Sequence, residues 1–551
     1  MKKITLAILA LLLIQFGSAA AQGNYSIPPD SWIYNAIQQL QTGGYLLDLS
    51  PGFRPYRRME VAHAIQNLIK KQKVTSMPAA DRWTFEKLEK AFSSELDFLR
   101  AKETRPDTSA ASFRFGEEDF LNVAKGYYGQ FKYANNTEFR PLIRTEFGFN
   151  LGNRLTLYTD ATVNQTLKDD TLYSGSTKFG LDALNQQSYI EYSSRYLDFT
   201  FGRDYLSWGY GNGGGPIVST SAGPLDLASL FIKTKVMKAN WFVAQLNQMP
   251  EFTPDTSSYM PFPTVGVPDP LANRYYTGSR IEFNINDKVF AGVFQSAMFG
   301  GPSAPIDLTL INPMRALYET KVNNHINNAD VNVGLDLSVF WPKNYNLYCD
   351  FMISDYQVDH KTKGDLKPNP FAFDVGLRAT NLLSGFGLSG TDGDLQFNAV
   401  SNRNYNDYNW SSYLKVMQGN YPIAYPYGND FWDIDLQLSQ WLTYDWKVSA
   451  EALHLEHGSY NISSPYTMPW LTDPNVTVQT GYSEPFPYGV DQIEDMLKAS
   501  AMYQPCPSLY GKASLIYSQF HNYKYSFGLN RGVLSFELTF YYDFTANIPF
   551  S

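Results

Sequence analysis

The chain has 551 residues, 44% of them hydrophobic and 16% aromatic, with a net charge of -9 and only two cysteines, Cys349 and Cys506. A mean hydropathy of -0.30 argues against a bundle of membrane helices, and beyond the N-terminus no stretch offers the roughly 18 uncharged apolar residues a spanning helix needs. The acidic balance argues against nucleic acid as a partner, since backbone binding needs clustered Lys and Arg.

Met1-Lys-Lys, an apolar run from Ile4 to Phe16 and Ala19-Ala20-Ala21 read as a secretory signal peptide over residues 1–21. The mature chain is expected to begin near Gln22 and to leave the cytoplasm. Residues 22–100 read as a small helical domain. Ile33, Ile37 and Leu40 form one stripe, Val61, Ile65, Leu68 and Ile69 a second, and Leu88, Phe92, Leu96 and Leu99 a third, which predicts three amphipathic helices. Ser31 is placed to cap the first, and Gly43-Gly44 to end it. Trp32, Ile37, Leu40, Gly44, Tyr45, Pro55, Arg58, Glu60 and Ala62 are spaced so that this domain resembles the S-layer homology module, with Arg57 where that family carries threonine. The resemblance implies a wall-polymer surface made by Trp32, Tyr45, Arg57, Arg58 and Glu60; the alternative is a packing domain with no ligand of its own.

Residues 101–112 are polar and read as a linker, and from residue 113 to 551 the period changes to two. Leu155, Leu157, Thr159, Ala161 and Val163 alternate with polar residues and Tyr158. Val331, Val333, Leu335, Leu337 and Val339 alternate with Asn332, Gly334, Asp336 and Ser338. Near the end, Leu534, Phe536, Leu538 and Phe540 alternate with Ser535, Glu537 and Thr539. Such strands fit a soluble sandwich or a membrane barrel. Their length, their succession without helical interruption, and connections divided into tight turns and long Pro/Gly/Tyr-rich loops favour an antiparallel outer-membrane β-barrel. At about 24 residues per strand and connection, the segment holds roughly 18 strands, with 16 also compatible.

Within this region, Phe199 to Phe231 stands out. A strand-like run ends at Arg203 and Asp204, and Trp208-Gly-Tyr-Gly and Gly213-Gly-Gly follow, where glycine reaches positive φ without steric cost. Gly202, Gly209, Gly211, Gly213, Gly214 and Gly215 therefore shape a loop. Arg203, Asp204, Trp208 and Tyr210 are the candidate polysaccharide-binding residues, because charged and flat aromatic groups suit a sugar-sized polar surface. The alternative is a loop folded into the lumen that closes a pore. Gly202, Arg203, Trp208, Gly209, Gly211, Ser219 and Pro224 also fit a segment by which the chain resembles the Wzi family of outer-membrane capsule-assembly proteins. The likeness continues through NRYYTGSRIEFNINDKVFAGV, INPMRALYE and FDVGLRATNLL. It implies a barrel of about 18 strands plugged by its helical module, which holds capsular or other surface polysaccharide on the cell without catalysis.

Enzyme signatures are thin: no GxSxG, HExxH or GxxxxGK[ST] motif occurs. His454 and His457 suggest a metal fragment, but in a strand they point to opposite faces, and no metal or cofactor is expected. Cys349 falls in a strand and is placed to face lipid, although one disulfide with Cys506 is also compatible. Expected partners are surface polysaccharide, outer-membrane lipid and peptidoglycan or another wall polymer. A diffusion porin carrying a wall-binding module shares all these features except a closed lumen; a barrel hydrolase would need a Ser-His pair that cannot be nominated.

Overall fold

The computed structural model describes residues 24–101, 110–122, 125–127, 130–132, 138–151, 154–164, 182–250, 271–354, 356–357, 360–407 and 409–549. The expected signal peptide and most of the linker lie outside these. The helical domain contains four helices, α1 (Trp32–Thr42), α2 (Arg58–Lys70), α3 (Ala79–Ala91) and α4 (Ser93–Ala101). This corrects the expected three. The stripe Leu88, Phe92, Leu96, Leu99 is shared between α3 and α4, because the backbone leaves helical geometry at Phe92 while all four side chains still enter one core. Ser31 caps α1 by accepting the Ile33 amide at 3.3 Å, and Gly44 takes φ +83° at its end.

Among the described residues, eighteen strands close into a barrel. They are β1 (Ala110–Asn122), β2 (Glu138–Leu151), β3 (Leu155–Asn164), β4 (Asp182–Ser193), β5 (Leu197–Asp204) and β6 (Leu225–Lys233). Then come β7 (Met237–Pro250), β8 (Leu271–Asn284), β9 (Val289–Pro302), β10 (Ala329–Val339), β11 (Tyr345–Ile353) and β12 (Phe371–Ala379). The last six are β13 (Thr391–Val400), β14 (Phe431–Trp441), β15 (Trp446–His457), β16 (Gln492–Cys506), β17 (Leu509–His521) and β18 (Arg531–Pro549). The strand that opens the wall begins at Ala110 rather than 113, because its pairing with β18 starts at Ala110↔Pro549. That pairing closes the sheet, which leaves no free edge for lipid to contact.

Alternation sorts the wall into two faces. Val293, Leu335, Leu347, Leu395, Leu436, Leu515, Leu534 and Leu538 are exposed on the outside, and the residues between them turn into the lumen. Cys349 lies on the outer face of β11, and both cysteines are free. At the long-loop end an aromatic belt runs from Phe373 to Phe397, Trp432 and His454 with ring centroids 5.1 to 6.2 Å apart. At the short-turn end Trp446 meets Tyr503 at a tilt, with ring centroids 4.9 Å apart. Two belts around an apolar band are the signature of a membrane barrel. The helical domain sits at the short-turn end: Asn381 of one turn donates to Asp81 at 2.9 Å, and Lys87 donates to the Tyr444 carbonyl of another at 2.6 Å.

Candidate functional site

The lumen is polar because every second wall residue faces it, and its charges are arranged in rows. Asp336, Asp350 and Asp374 are cross-strand neighbours on β10, β11 and β12, so three carboxylates stand side by side. Arg280 of β8 meets the first of them, with Nε 2.7 Å and Nη2 3.0 Å from the Asp336 carboxylate, and also donates to Glu282 at 2.9 Å. On the far wall Arg144 grips Asp160 at 2.6 Å. Burying charges is costly unless they are paired and hydrogen-bonded, so this lining requires an equally polar filling.

Three segments supply it. The first is the loop after β5, residues 205–224, which turns inward. The Tyr210 amide donates to Asp350 at 3.0 Å, its hydroxyl donates to Glu282 at 3.0 Å, and its carbonyl accepts from Arg378 at 2.6 Å. The glycines let the backbone lie this close. A Cβ on Gly209, where φ is +110°, would come within 2.6 Å of the Gly215 Cα, and one on Gly211 within 2.8 Å of the Gln396 amide nitrogen. The second segment enters from the helical domain. Phe53 and Arg54 pair as a short strand with Trp208 and Ser207, and the Gly209 amide donates to the Gly52 carbonyl at 3.2 Å. The third, residues 401–430, comes from the long-loop end. Ser219 donates its amide to Ile423 at 2.8 Å, and buried Arg274 donates to the Tyr413 carbonyl at 2.6 Å.

The structure brings Asp204, Trp208 and Tyr210 to this closure and separates Arg203 from them. Trp208 is 2% and Tyr210 1% exposed; the Trp208 indole donates to Asn240 at 3.0 Å and meets Phe242 edge-on at 5.2 Å. Their rings therefore have no free face for a sugar, and the expected lumen-facing aromatic surface is corrected to a buried one. Arg203 lies on the outer face of β5 with Phe199 and Phe201, 3.6 Å from Asp226, because its register with Asp204 is odd to even. Gly202 belongs to β5, paired with Tyr189 and Leu227, and not to the loop.

The residues picked as a wall-polymer surface are occupied too. Arg57 pairs with Glu191 at 2.6 Å and Asp204 at 3.2 Å, both on the barrel wall, and its guanidinium lies 5.1 Å from the Tyr189 ring centre. Burial alone would lower its pKa, but the two carboxylates outweigh burial and raise it, so Arg57 stays charged. Glu60 accepts from Lys238 of β7 at 2.9 Å; burial opposes its ionisation, yet that ion pair leaves its pKa below the ordinary value. Arg58 binds Glu95 inside the bundle, Tyr45 is buried, and Trp32 packs on the helical core. The seam beside Arg57 holds a cavity of about 60 Å³, lined by Phe53, Arg54, Glu60, Thr200 and Asp204 among others, room for several waters.

The sequence reading missed a cluster at the long-loop end. Arg403 is gripped by Glu484 and lies 4.9 Å from the ring centres of both Tyr466 and Trp470 and 5.7 Å from that of Tyr488. Tyr488 in turn meets Tyr460 at 4.7 Å, and Tyr460, Tyr482 and Tyr488 are half-buried, with Phe486 exposed beside them. The available signal was the Tyr- and Pro-rich composition of residues 458–491, which says nothing of its meeting Arg403. His454 and His457 do lie on opposite faces: His454 meets Asp495 outside at 2.7 Å, and His457 meets the Asn429 carbonyl at 3.0 Å.

A family model described as capsule assembly protein Wzi matches residues 124–531. Among solved structures the chain is similar to Wzi of Escherichia coli, described as an outer-membrane, carbohydrate-binding β-barrel involved in group 1 capsule assembly. The two share 12% identity over 96% of this chain and 100% of that one, with a TM-score of 0.58. Two Pseudomonas aeruginosa barrels, OccD3 (OpdP) and OpdQ, match at 9% identity over 80% of this chain and 95% and 98% of theirs, with TM-scores of 0.42 and 0.40, too weak to carry an argument. No curated protein matches the sequence. A closed outer-membrane barrel of eighteen strands, with the family model spanning most of its length, makes this chain a member of the Wzi capsule assembly family.

Proposed function

We propose that this protein holds capsular or related surface polysaccharide at the outer face of the outer membrane, without catalysis, and that the polymer is engaged by the long loops rather than carried through the barrel. The observation that carries this reading is the lumen closure: Phe53 and Arg54 from the helical domain pair with Ser207 and Trp208 from an inward loop, across the middle of the barrel. A diffusion porin needs an open path there. The helical domain is the periplasmic stopper in this reading, and Asp204, Trp208 and Tyr210 hold the closed wall together instead of touching sugar. Contact with polymer falls to Tyr460, Tyr482 and Tyr488 around Arg403, whose flat, partly exposed rings suit sugar faces while their hydroxyls reach polar groups. The test is polymer retention in a strain lacking the protein, complemented with wild type, with Tyr460→Ala/Tyr488→Ala or with Trp208→Ala. Wild type should keep polymer on cells, the double variant should shed it several-fold more into the medium, and Trp208→Ala should retain it. Equal retention with and without the protein would sink the function; loss confined to Trp208→Ala would return the binding surface to the lumen.

A further inference from the structure

The acid row in the lumen is short of counter-ions. Arg280 satisfies Asp336, and its remaining donors are occupied by Glu282 and by the Gly52 carbonyl at 2.7 Å. Arg378 donates to Asp394 at 2.9 Å, to the Tyr210 carbonyl at 2.6 Å and to Asn212 at 3.0 Å, and its guanidinium lies 4.1 Å from the Tyr348 ring centre. The ionisable groups around Arg54 of the helical domain are Arg378, Tyr34, Tyr56 and Tyr348, not the row. Among the described residues no lysine, arginine or histidine forms an ion pair with Asp350 or Asp374.

These two acids face each other directly across β11 and β12, and they are 1% and 0% exposed. Their side chains hydrogen-bond one another. A carboxylate has no proton to donate, so that bond requires one of the two to be an acid. Each Oδ2 is turned to an inward segment: that of Asp350 accepts the Tyr210 amide at 3.0 Å and that of Asp374 the Tyr425 hydroxyl at 2.8 Å. Neither Oδ1 meets an N–H or O–H donor from any other residue, and both are sealed from solvent. The backbone of the loop after β5 lies on the pair, since a Cβ on Gly209 would stand 3.2 Å from Asp350 Oδ2 and one on Gly211 3.2 Å from Asp374 Oδ2. Asp336 flanks the pair from β10, and Tyr405 faces it from the segment 401–430.

We infer that Asp350 and Asp374 share a single proton, and that this proton fastens the two inward segments to the wall. The connection runs from the Tyr210 amide to Asp350, through the proton to Asp374, and on to the Tyr425 hydroxyl, so the loop after β5 and the segment 401–430 depend on one acid–carboxylate bond. Two carboxylates in contact in a dry site cannot both ionise. The strand ladder holds their Cα atoms as neighbours, so loss of the proton forces the side chains apart, and the Tyr210 amide or the Tyr425 hydroxyl loses its acceptor. The fastening holds at neutral pH and below and is released as pH rises, the opposite sense to a salt-bridged carboxylate, which fails as pH falls. The inference does not depend on what the outer loops bind.

The test takes the full-length protein in lipid nanodiscs, carrying isotope-labelled aspartate, and reads the carboxylic-acid C=O band by infrared spectroscopy at neutral pH. The difference between wild type and Asp350→Asn/Asp374→Asn should be one aspartic acid per barrel. A difference of none would overturn the inference in favour of two ionised groups around a bound cation, and a difference of two in favour of separate protons. Hydrogen exchange at the Tyr210 amide, taken relative to the unstructured rate at each pH, reads the fastening. In wild type its protection should fall roughly tenfold or more as the band disappears at alkaline pH, the loss of one hydrogen bond to a charged group. In Asp374→Asn, whose side-chain amide donates to Asp350 in place of the proton, protection should stay level. A wild-type band that persists at alkaline pH, protection that is level while the band vanishes, or an equal fall in both proteins would overturn the inference, and the first two outcomes need no variant to fold.

Discussion

Arg57 is one of the side chains through which the helical domain grips the wall, beside Glu60, Asp81 and Lys87, and Arg57→Met should loosen that grip without unmaking the barrel. In the native protein Arg57 bonds Glu191 at 2.6 Å, Asp204 at 3.2 Å, the Thr200 hydroxyl at 3.0 Å and the Tyr189 hydroxyl at 3.3 Å. Methionine fills similar volume and leaves two buried carboxylates without their cation, and breaking a buried pair in this way costs about 3 to 5 kcal/mol. Asp204 keeps the Ser26 hydroxyl, the Gln187 amide and the Tyr205 amide as donors, so the loss belongs near the lower figure. About 3 kcal/mol corresponds to roughly a hundredfold rise in the undocked population. Hydrogen exchange reads that population directly at two amides whose acceptors lie across the seam, Ser26 to the Tyr189 hydroxyl and Gly209 to the Gly52 carbonyl. Both should exchange roughly a hundredfold faster, while amides of the β1–β18 pairing stay protected. Arg57→Lys should fall between, keeping charge but losing the fork. Unchanged protection at Ser26 and Gly209 in a folded Arg57→Met barrel would refute the lock.

Asp81 gives a pH signature. Burial raises its pKa to about 6 against the donors Gln39 and Asn381, so the folded protein holds the proton more tightly than the unfolded chain does. Its contribution to stability is therefore greatest below about pH 4, falls as pH rises to about 6 and is level above, and the difference in thermal midpoint between wild type and Asp81→Asn should trace that slope; parallel curves would refute it. Deleting residues 28–100 leaves 205–224, anchored by Asn240, Asp350 and Arg378, and 401–430, held by Arg274, across the lumen. Planar-bilayer conductance should thus stay low in the deletion and rise only when residues 206–222 are also replaced by a short Gly-Ser linker; a large current from the deletion alone would show that the inward loops seal nothing. Leu335→Arg puts a cation on the lipid face and should cut outer-membrane yield, at a cost of about 2 to 4 kcal/mol near mid-membrane, whereas normal yield would contradict the placement of β10.

The barrel was legible because one physical constraint repeats along the chain. A residue that faces lipid must be apolar and its neighbour, facing the lumen, need not be, so Val333 to Val339 and Leu534 to Leu538 announce their faces without any tertiary information. The glycine run was legible as a shaped loop for the same reason, since backbone angles are local. Its role was not. Whether Trp208 offers a ring to sugar or buries it against Phe242 depends on where Asn240 and Gly52 arrive, 32 and 156 residues away along the chain. Arg57 shows the same limit from the other side: its position in a module-like motif was visible, but its carboxylates come from β4 and the end of β5, and nothing local points to them. Splitting the last helical stripe at Phe92 escaped because the apolar spacing continues undisturbed through the break.

The charged lumen has a physical reason beyond packing. Replacing buried ion pairs by apolar residues often stabilises a soluble protein, and Arg280 with Asp336 and Glu282 would be candidates for such replacement. In a barrel the argument reverses. Side chains alternate with period two, so a one-residue slip in any strand pairing exchanges lumen and lipid faces along that whole strand. With an apolar lumen the slipped and native registers would bury similar surfaces, and nothing would choose between them. With Asp336, Asp350 and Asp374 on adjacent strands, a slip in any one of the three would put its carboxylate into hydrocarbon, where an ionised group costs several kcal/mol. The acid row thus fixes the register while the wall forms. The same row then requires a polar filling, and Arg280, the Tyr210 amide and the Tyr425 hydroxyl, which donates to Asp374 at 2.8 Å, provide it. On this account closure of the lumen follows from the way the wall secures its own pairing, and the surface left free to meet polymer is the long-loop end.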